Sequence, residues 1–352
     1  MVPVQGDGSP TNFSGRMGFG SVMSGLRADF ARQYIPFLVG AIHIFRKVCS
    51  KDNFSALSKL RRSFSDETIV ATIVQHFQVI RVLDRSGAQT LIKRYPHYAN
   101  KYVHKYLMKS FSKKTRREVL KFHYQYLARH VIDSFCEQVL QSRPILWREM
   151  IDENCYAISI SLNPHQHAAG DLSLTFEMND FPIYELSFTI VPGSTVGSAA
   201  EQVLLVARIQ GGKEKAEAIR IATRACHRIA PAHLLMAAAQ SIATALAIDT
   251  IGGVTNKERI ANPAEGVSNV FFDYDAFWDT FILKQSRGSV YEMQVPFPAQ
   301  PDAKASYRSK ARLKRRQFKN RVGASVGAAF AKSFIKSAFI ASTTFQRRRK
   351  SA

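Results

Sequence analysis

The residues whose types could do chemistry in this chain are few and scattered. The apolar run VLLVARI, starting at Val203, ends at Gln210-Gly211-Gly212. There the missing Cβ lets a backbone approach a ligand closely or take a positive φ. A plain strand-to-helix turn uses the same residues and is the commoner outcome. His165 and His167 form an H-x-H pair in NPHQH, but no third ligand stands nearby, so a solvated turn accounts for them and no metal is expected. His97, His104, His123 and His130 lie among tyrosines and lysines on helical stretches, where surface or interface roles suffice. Nothing supports a serine triad, because no G-x-S-x-G elbow exists. A nucleotide loop is absent too: Gly211-Gly212-Lys213 runs into Glu214, without the hydroxyl that would hold Mg²⁺.

These residues sit in an order of elements that is easier to read than their chemistry. A buried strand from Val203 is followed by a charged helical stretch, KEKAEAIRIATRACHRI, in which Ala218, Ile221, Ala222 and Ala225 recur at helical spacing. Pro231 opens a second, almost wholly apolar helix running from His233 to Ile248. A β-prone run, Thr250 to Thr255, closes the unit. Upstream, YAISISLNP, DLSLTFEM and IYELSFTIV alternate apolar and polar residues between turn formers, which predicts three antiparallel strands. Before Arg143-Pro144 the texture is helical and basic. Ser65 is an expected N-cap for Ile69 to Leu83, and the apolar spacing predicts one long amphipathic helix from Lys113 to Leu140.

Composition narrows the partners. With 49 Lys plus Arg against 27 Asp plus Glu the chain carries +22, an excess that favours an anionic partner such as nucleic acid or an acidic membrane surface. Fifteen of the cations, and no acidic residue, lie from Lys304 onward. Hydrophobic content of 46% supports a sizeable core. Four scattered cysteines without a C-x-x-C pair point to free thiols in a reducing compartment. The first residues are rich in Gly and Ser and lack a signal-peptide core, and no apolar run reaches the length of a membrane span. A cytoplasmic protein, peripheral on a membrane, is the expectation.

Several stretches, in order, resemble the VirK/YbjX family of Gram-negative bacteria: LKFHYQYLAR, IYELSFTIV, the strand ending IQGG, APAHLLMAAAQSIATALAI with IGGVTNKERI, YDAFWD and YRSKARLKRR. They span roughly residues 59–321. The resemblance implies a role in virulence and in resistance to cationic antimicrobial peptides through the cell envelope, and it implies no particular chemistry. The strand–helix–strand order with a late aromatic segment is also similar to GNAT-type acyltransferases. In that fold the amides at a helix start cradle a pyrophosphate. Carried onto this chain, the likeness implies donors at Ala230, Ala232, His233 and Leu234, with Arg228 alongside and Gln210-Gly211 approaching the ligand. Coenzyme A or another acyl carrier is the implied cofactor. Tyr274 takes the place of the tyrosine near the leaving thiol, as a general acid, with Trp278 and Asn256 toward the substrate. A core helix started by Pro231 and aromatics used only for packing explain the same residues without any ligand.

The fold expected is therefore α+β. Residues 1–29 form a leader and 30–142 a helical region. Residues 143–303 form a GNAT-like domain with a mostly antiparallel mixed sheet, and 304–352 a basic, partly amphipathic helical tail. Val326, Phe330 and Phe334 share one side of that tail, and Lys/Arg interleaved with Phe suits adsorption to anionic lipid, about 1 kcal/mol per cation. An envelope lipid or protein is a further partner to expect, and nucleic acid a less favoured one, for want of a known nucleic-acid fold.

Overall fold

In the computed structural model the described residues are 66–164, 170–260, 272–281, 284–286, 290–296 and 307–339. Those from Val74 onward belong to one compact unit, and residues 66–73 belong to another. Ser65, residues 30–65 of the predicted helical region and the H-x-H pair lie outside the described residues.

The helical first part opens with α1 (Asp66–Arg85), α2 (Gln89–Arg94) and a 3₁₀ segment (Pro96–Val103). Helix α3 (Lys113–His130) starts at Ser112, whose hydroxyl accepts from Thr115 N at 3.1 Å. The single helix predicted for 113–140 is in fact two, because α3 stops at Val131 and α4 (Phe135–Gln141) starts afresh. The reason is tertiary. Val131 is extended and bridges Ile335, Ile132 N donates to Phe334 O at 2.8 Å, and Lys336 N donates to His130 O at 2.9 Å. Backbone groups that would continue the helix are used by the chain's far end.

Eight strands form one sheet in the order β1-β2-β3-β4-β5-β6-β8-β7. They are β1 (Ile145–Ile151), β2 (Asn154–Leu162), β3 (Leu172–Met178), β4 (Phe181–Pro192), β5 (Gln202–Gly211), β6 (Thr250–Val254), β7 (Lys284–Ser286) and β8 (Val290–Gln294). The three alternating runs are β2, β3 and β4, as expected. Sequence reading missed β1, β7 and β8. Every junction is antiparallel except β5–β6, which is parallel because α5 (Ala216–Ala225) and α6 (Pro231–Ala245) carry the chain back across the sheet. The class is α+β, as predicted.

Alternation gives the central strands two unlike faces. On one, Trp147, Ile158 and Phe176 lie in register, and Trp147 meets Phe318 edge to face at 6.4 Å. On the other, Ser159, Thr175, Glu177, Ser173 and Ser187 form a buried polar row, in which Ser159 Oγ donates to Glu177 at 2.5 Å and Ser173 Oγ to Glu185 at 2.7 Å.

The apolar face is covered by α6 and by α8 (Tyr307–Phe334), one continuous helix of 28 residues. Phe318, Val322, Val326, Phe330 and Phe334, four apart, are all buried. Over residues 307–334, then, the segment predicted as a separate tail is part of the fold, and the phenylalanines offered to lipid pack inside it. Phe330 and Phe334 both meet Phe135 of α4, at 6.1 and 5.1 Å. Helices α6 and α8 run in parallel and close together. A Cβ on Gly323 would lie 3.1 Å from Ala237 O, and one on Gly327 would lie 2.9 Å from Ser241 Cβ.

Candidate functional site

Strands β5 and β6 are hydrogen-bonded only through Leu204↔Ile251, Leu205↔Gly252 and Val206↔Gly253. Strand β5 continues to Gly211, still paired with β4 on its other side. The cause of the parting lies in the register with β4: Phe188 faces Val206 while Ser187 faces Arg208, so Ala207 is an extra residue on β5. A bulge of this kind bends its strand and raises the local twist. Beyond it β5 leaves β6, and the outward amide of Ile209 finds a side chain instead of a strand: it donates to the Tyr274 hydroxyl at 3.1 Å.

The residues singled out from sequence gather around this divergence, at the carboxyl ends of the two parallel strands. Tyr274 opens the short helix α7 (Tyr274–Asp279) and is fully buried, with the Arg259 guanidinium 5.4 Å from its ring centre. Trp278, also buried, lies on Gly253 and donates from Nε1 to Val254 O at 2.9 Å. A Cβ on Gly253 would come within 2.4 Å of the indole, so only glycine permits this seat. Asn256 is committed to the start of α7: its Nδ2 donates to Asp273 Oδ1 at 2.8 Å and its Oδ1 accepts from Tyr274 N at 3.0 Å. It holds the helix that carries Tyr274. Gly211 is enclosed by Ile219 and Tyr184, whose atoms would lie 2.5 and 2.8 Å from an added Cβ, so the chain's own side chains make the close approach there.

Across the divergence lies the corner between α5 and α6. His227 and Arg228 are both left-handed, at φ 55° and 62°, and both are exposed. Two consecutive residues in that region cost on the order of 1 kcal/mol or more each. The amide cradle predicted over residues 230–234 is smaller than expected. Pro231 has no N–H, and His233 N and Leu234 N both turn back to Ala230 O, at 2.9 and 3.4 Å. Among the described residues the amides of Ala230 and Ala232 are what remain of it. His233 ties the corner to α7, stacking on Phe277 at 5.3 Å. Burial and the nearby Lys319 charge lower the His233 pKa, so its imidazole is held neutral. Burial pushes the thiols of Cys136 and Cys226 up to about 12, which keeps them protonated and unreactive.

A second cluster escaped sequence reading. Asp171, fully buried at the start of β3, accepts from the hydroxyls of Tyr98 and Tyr106, from Thr189 Oγ1 at 2.8 Å and from Lys101 Nζ at 3.2 Å. Tyr124 OH donates to Tyr98 OH at 2.9 Å. Burial raises the Asp171 pKa, but Lys101 and the hydroxyl donors win and hold it at about 2. Alongside, His123 Nδ1 accepts from Ile190 N at 3.1 Å, an amide beyond the reach of β3. That bond places the proton on Nε2, which is buried without a partner. Burial takes the His123 pKa down to about 4. The network is sealed from solvent, so its role is to bind the 3₁₀ segment and α3 to β3 and β4. The Tyr-, His- and Lys-rich run over residues 95–108 was the available signal, since so many polar groups in a helical layer must find a buried partner.

The family described as "Protein of unknown function (DUF535)" matches residues 60–323, well over half of the chain. The chain belongs to that family. It is the VirK/YbjX family named by the sequence resemblance. This DUF535 protein is similar to "Uncharacterized protein YbjX" of Escherichia coli K12, 22% identical over 232 residues, covering 62% of this chain and 69% of the relative. It is also similar to "Membrane protein LapB" of Mannheimia haemolytica, 24% identical over 175 residues, 47% of this chain and 70% of the relative. No solved structure matches it. Among the described residues no helix is long and apolar enough to cross a membrane.

Proposed function

We propose that this DUF535 protein is an envelope-directed acyl or aminoacyl transferase, peripheral on the cytoplasmic face of the inner membrane, with its thioester donor held where β5 leaves β6. The observation that carries the reading is the bulge at Ala207, beyond which β5 is no longer in register with β6 and the Ile209 amide donates to the Tyr274 hydroxyl. In open α/β sheets ligands bind in a crevice outside the carboxyl ends of the parallel strands, and the gap between β5 and β6 opens at that end. The single parallel junction in an otherwise antiparallel sheet supports the GNAT-like reading of the domain. A pantetheine carbonyl entering the gap would take over the Ile209 amide, leaving the Tyr274 phenol to turn toward the sulfur. The acceptor's oxygen or nitrogen attacks the thioester carbonyl and the C–S bond breaks. The departing thiolate takes the Tyr274 proton, and the phenolate recovers the proton shed by the acceptor. Arg228 and the Ala232 amide would meet the donor's phosphates, beside a neutral His233. The role in virulence and peptide resistance that the sequence resemblance implies points to an envelope acceptor.

Calorimetric titration of the full chain with coenzyme A and acyl-coenzyme A tests the reading. Saturable binding, weakened about tenfold or more when Arg228→Ala and His233→Ala are combined, is the expected result. No binding by well-folded protein sinks it. Tyr274→Phe should cut turnover in the folded enzyme and, by orphaning the Ile209 amide, cost about 1–3 kcal/mol in urea unfolding. Unchanged turnover removes Tyr274 from the mechanism. A second reading, a non-enzymatic basic protein that binds anionic membrane, an envelope protein or nucleic acid, is favoured by the exposed cations that open α8. Co-sedimentation with anionic liposomes in the absence of any donor binding is its signature.

A further inference from the structure

The parallel register of α6 and α8 fixes where α8 begins. Gly323 lies against Ala237 and Gly327 against Ser241, and Lys319 is close enough to depress the His233 pKa. Helix α6 starts at Pro231, so the residues of α8 before about Arg316 have no α6 beside them. At 1.5 Å per residue this overhang is about 15 Å long. It extends past the α5–α6 corner, on the side where β5 and β6 end. The contact at its root is local: the Phe318 ring lies 4.9 Å from His227.

The overhang is exposed and carries only positive charge. Lys310, Arg312, Lys314 and Arg315 are exposed, and no acidic residue occurs in the sequence beyond Lys304. At 100° per residue Lys310 and Lys314 lie about 40° apart and Arg312 and Arg315 about 60° apart, two pairs on different sides of the helix. A helix that lies in a lipid interface needs one apolar side. Here the phenylalanines of α8 are buried, and Leu313, 43% exposed, is the one large apolar side chain exposed among the described residues of this stretch. Charge without an apolar side suits an acidic macromolecule held at its surface. The place suits one that delivers something to the carboxyl ends of β5 and β6.

We infer that the opening turns of α8 dock an acidic acyl carrier protein, and that the donor reaches the site on its phosphopantetheine arm. The inference rests on the transferase reading and deepens it by naming the donor's class. Charge complementarity of this kind speeds encounter and fixes register, and it weakens with salt. Free coenzyme A uses only the inner site, whereas the carrier uses both the site and the helix.

The experiment compares full-length wild type with a variant combining Lys310→Gln, Arg312→Gln, Lys314→Gln and Arg315→Gln. All four positions are exposed, so the fold is retained, and unchanged thermal melting verifies it. Binding of acyl-phosphopantetheinylated carrier protein is read by fluorescence anisotropy, and binding of acyl-coenzyme A by calorimetry. The expected result is carrier binding weakened about tenfold or more in the variant, with acyl-coenzyme A binding changed less than about twofold. Acyl-coenzyme A binding with no carrier binding, or carrier binding untouched by the substitutions, overturns the inference while leaving the transferase reading in place. Failure to bind either donor overturns both. Wild type that prefers phosphatidylglycerol vesicles or duplex DNA to the carrier, with that preference lost in the variant, overturns the inference and assigns the helix to a membrane or a nucleic acid.

Discussion

Burial lowers the pKa of several imidazoles of this protein, and His123, the most strongly shifted of them, sets part of its response to acid. His123 faces Asp171 and Lys101 across the buried network and accepts from Ile190 N, with its pKa depressed by burial from 6.5 to about 4. In that window the unfolded chain takes up a proton that the folded chain refuses, so stability rises with pH. The contribution is complete above pH 6.5 and is lost as pH falls toward 4, an amount on the order of 3 kcal/mol. Asp171 extends the loss further down, from 3.8 to about 2, because its carboxylate is the favoured form in the fold. His123→Asn offers a carboxamide oxygen to the Ile190 amide and removes the titration. Urea unfolding of that variant should show a flattened slope between pH 6.5 and 4 but the same acid loss below. A slope equal to that of wild type would place the response elsewhere.

At the scale of elements, two glycines matter because of what lies on them. Strand β6 accepts the Trp278 indole across the bare Cα of Gly253, and this seats α7 over the strand ends. Gly253→Ala should cost about 1–3 kcal/mol by overpacking and should shift tryptophan fluorescence toward that of a solvated indole. An unaltered spectrum would mean that the helix does not depend on this seat. Gly327 plays the matching part between α6 and α8, where a side chain would strike Ser241. The bulge at Ala207 is the third device of this kind, and it lies where β5 leaves β6. Glycine pairs and aromatic runs were visible in the sequence, but their partners were not, since a close approach becomes visible only when both surfaces are known.

For the whole molecule, the far end of the chain completes the core. Helix α8 covers α6 and reaches β1, and its last turn joins α3 and α4 through Val131, Ile132 and Phe135. Removing residues from 307 onward should therefore abolish cooperative unfolding, because five buried side chains at about 1.5–3 kcal/mol each exceed the margin by which a domain is stable. Retention of a sharp melting transition in the truncated protein would show that the helix is an appendage. Tests of partner binding consequently call for substitution on α8 in place of deletion.

Alternation, turn residues and helical spacing by themselves determined β2 through β6, α5 and α6, because periods of two and 3.6 are written in neighbouring residues. They also determined the family, since its blocks are local in sequence. The split of the 113–140 helix, the place of α8 and the Asp171 network were decided by tertiary structure. In each, the deciding partner lies far along the chain: Ile335 for Val131, Trp147 for Phe318, Tyr98 for Asp171. A cationic, Phe-bearing helix has the same local pattern whether its apolar side meets lipid or a sheet. Burying Phe318 against the sheet and Phe330 and Phe334 against α4 settled which, leaving exposed cations on the turns that project beyond them.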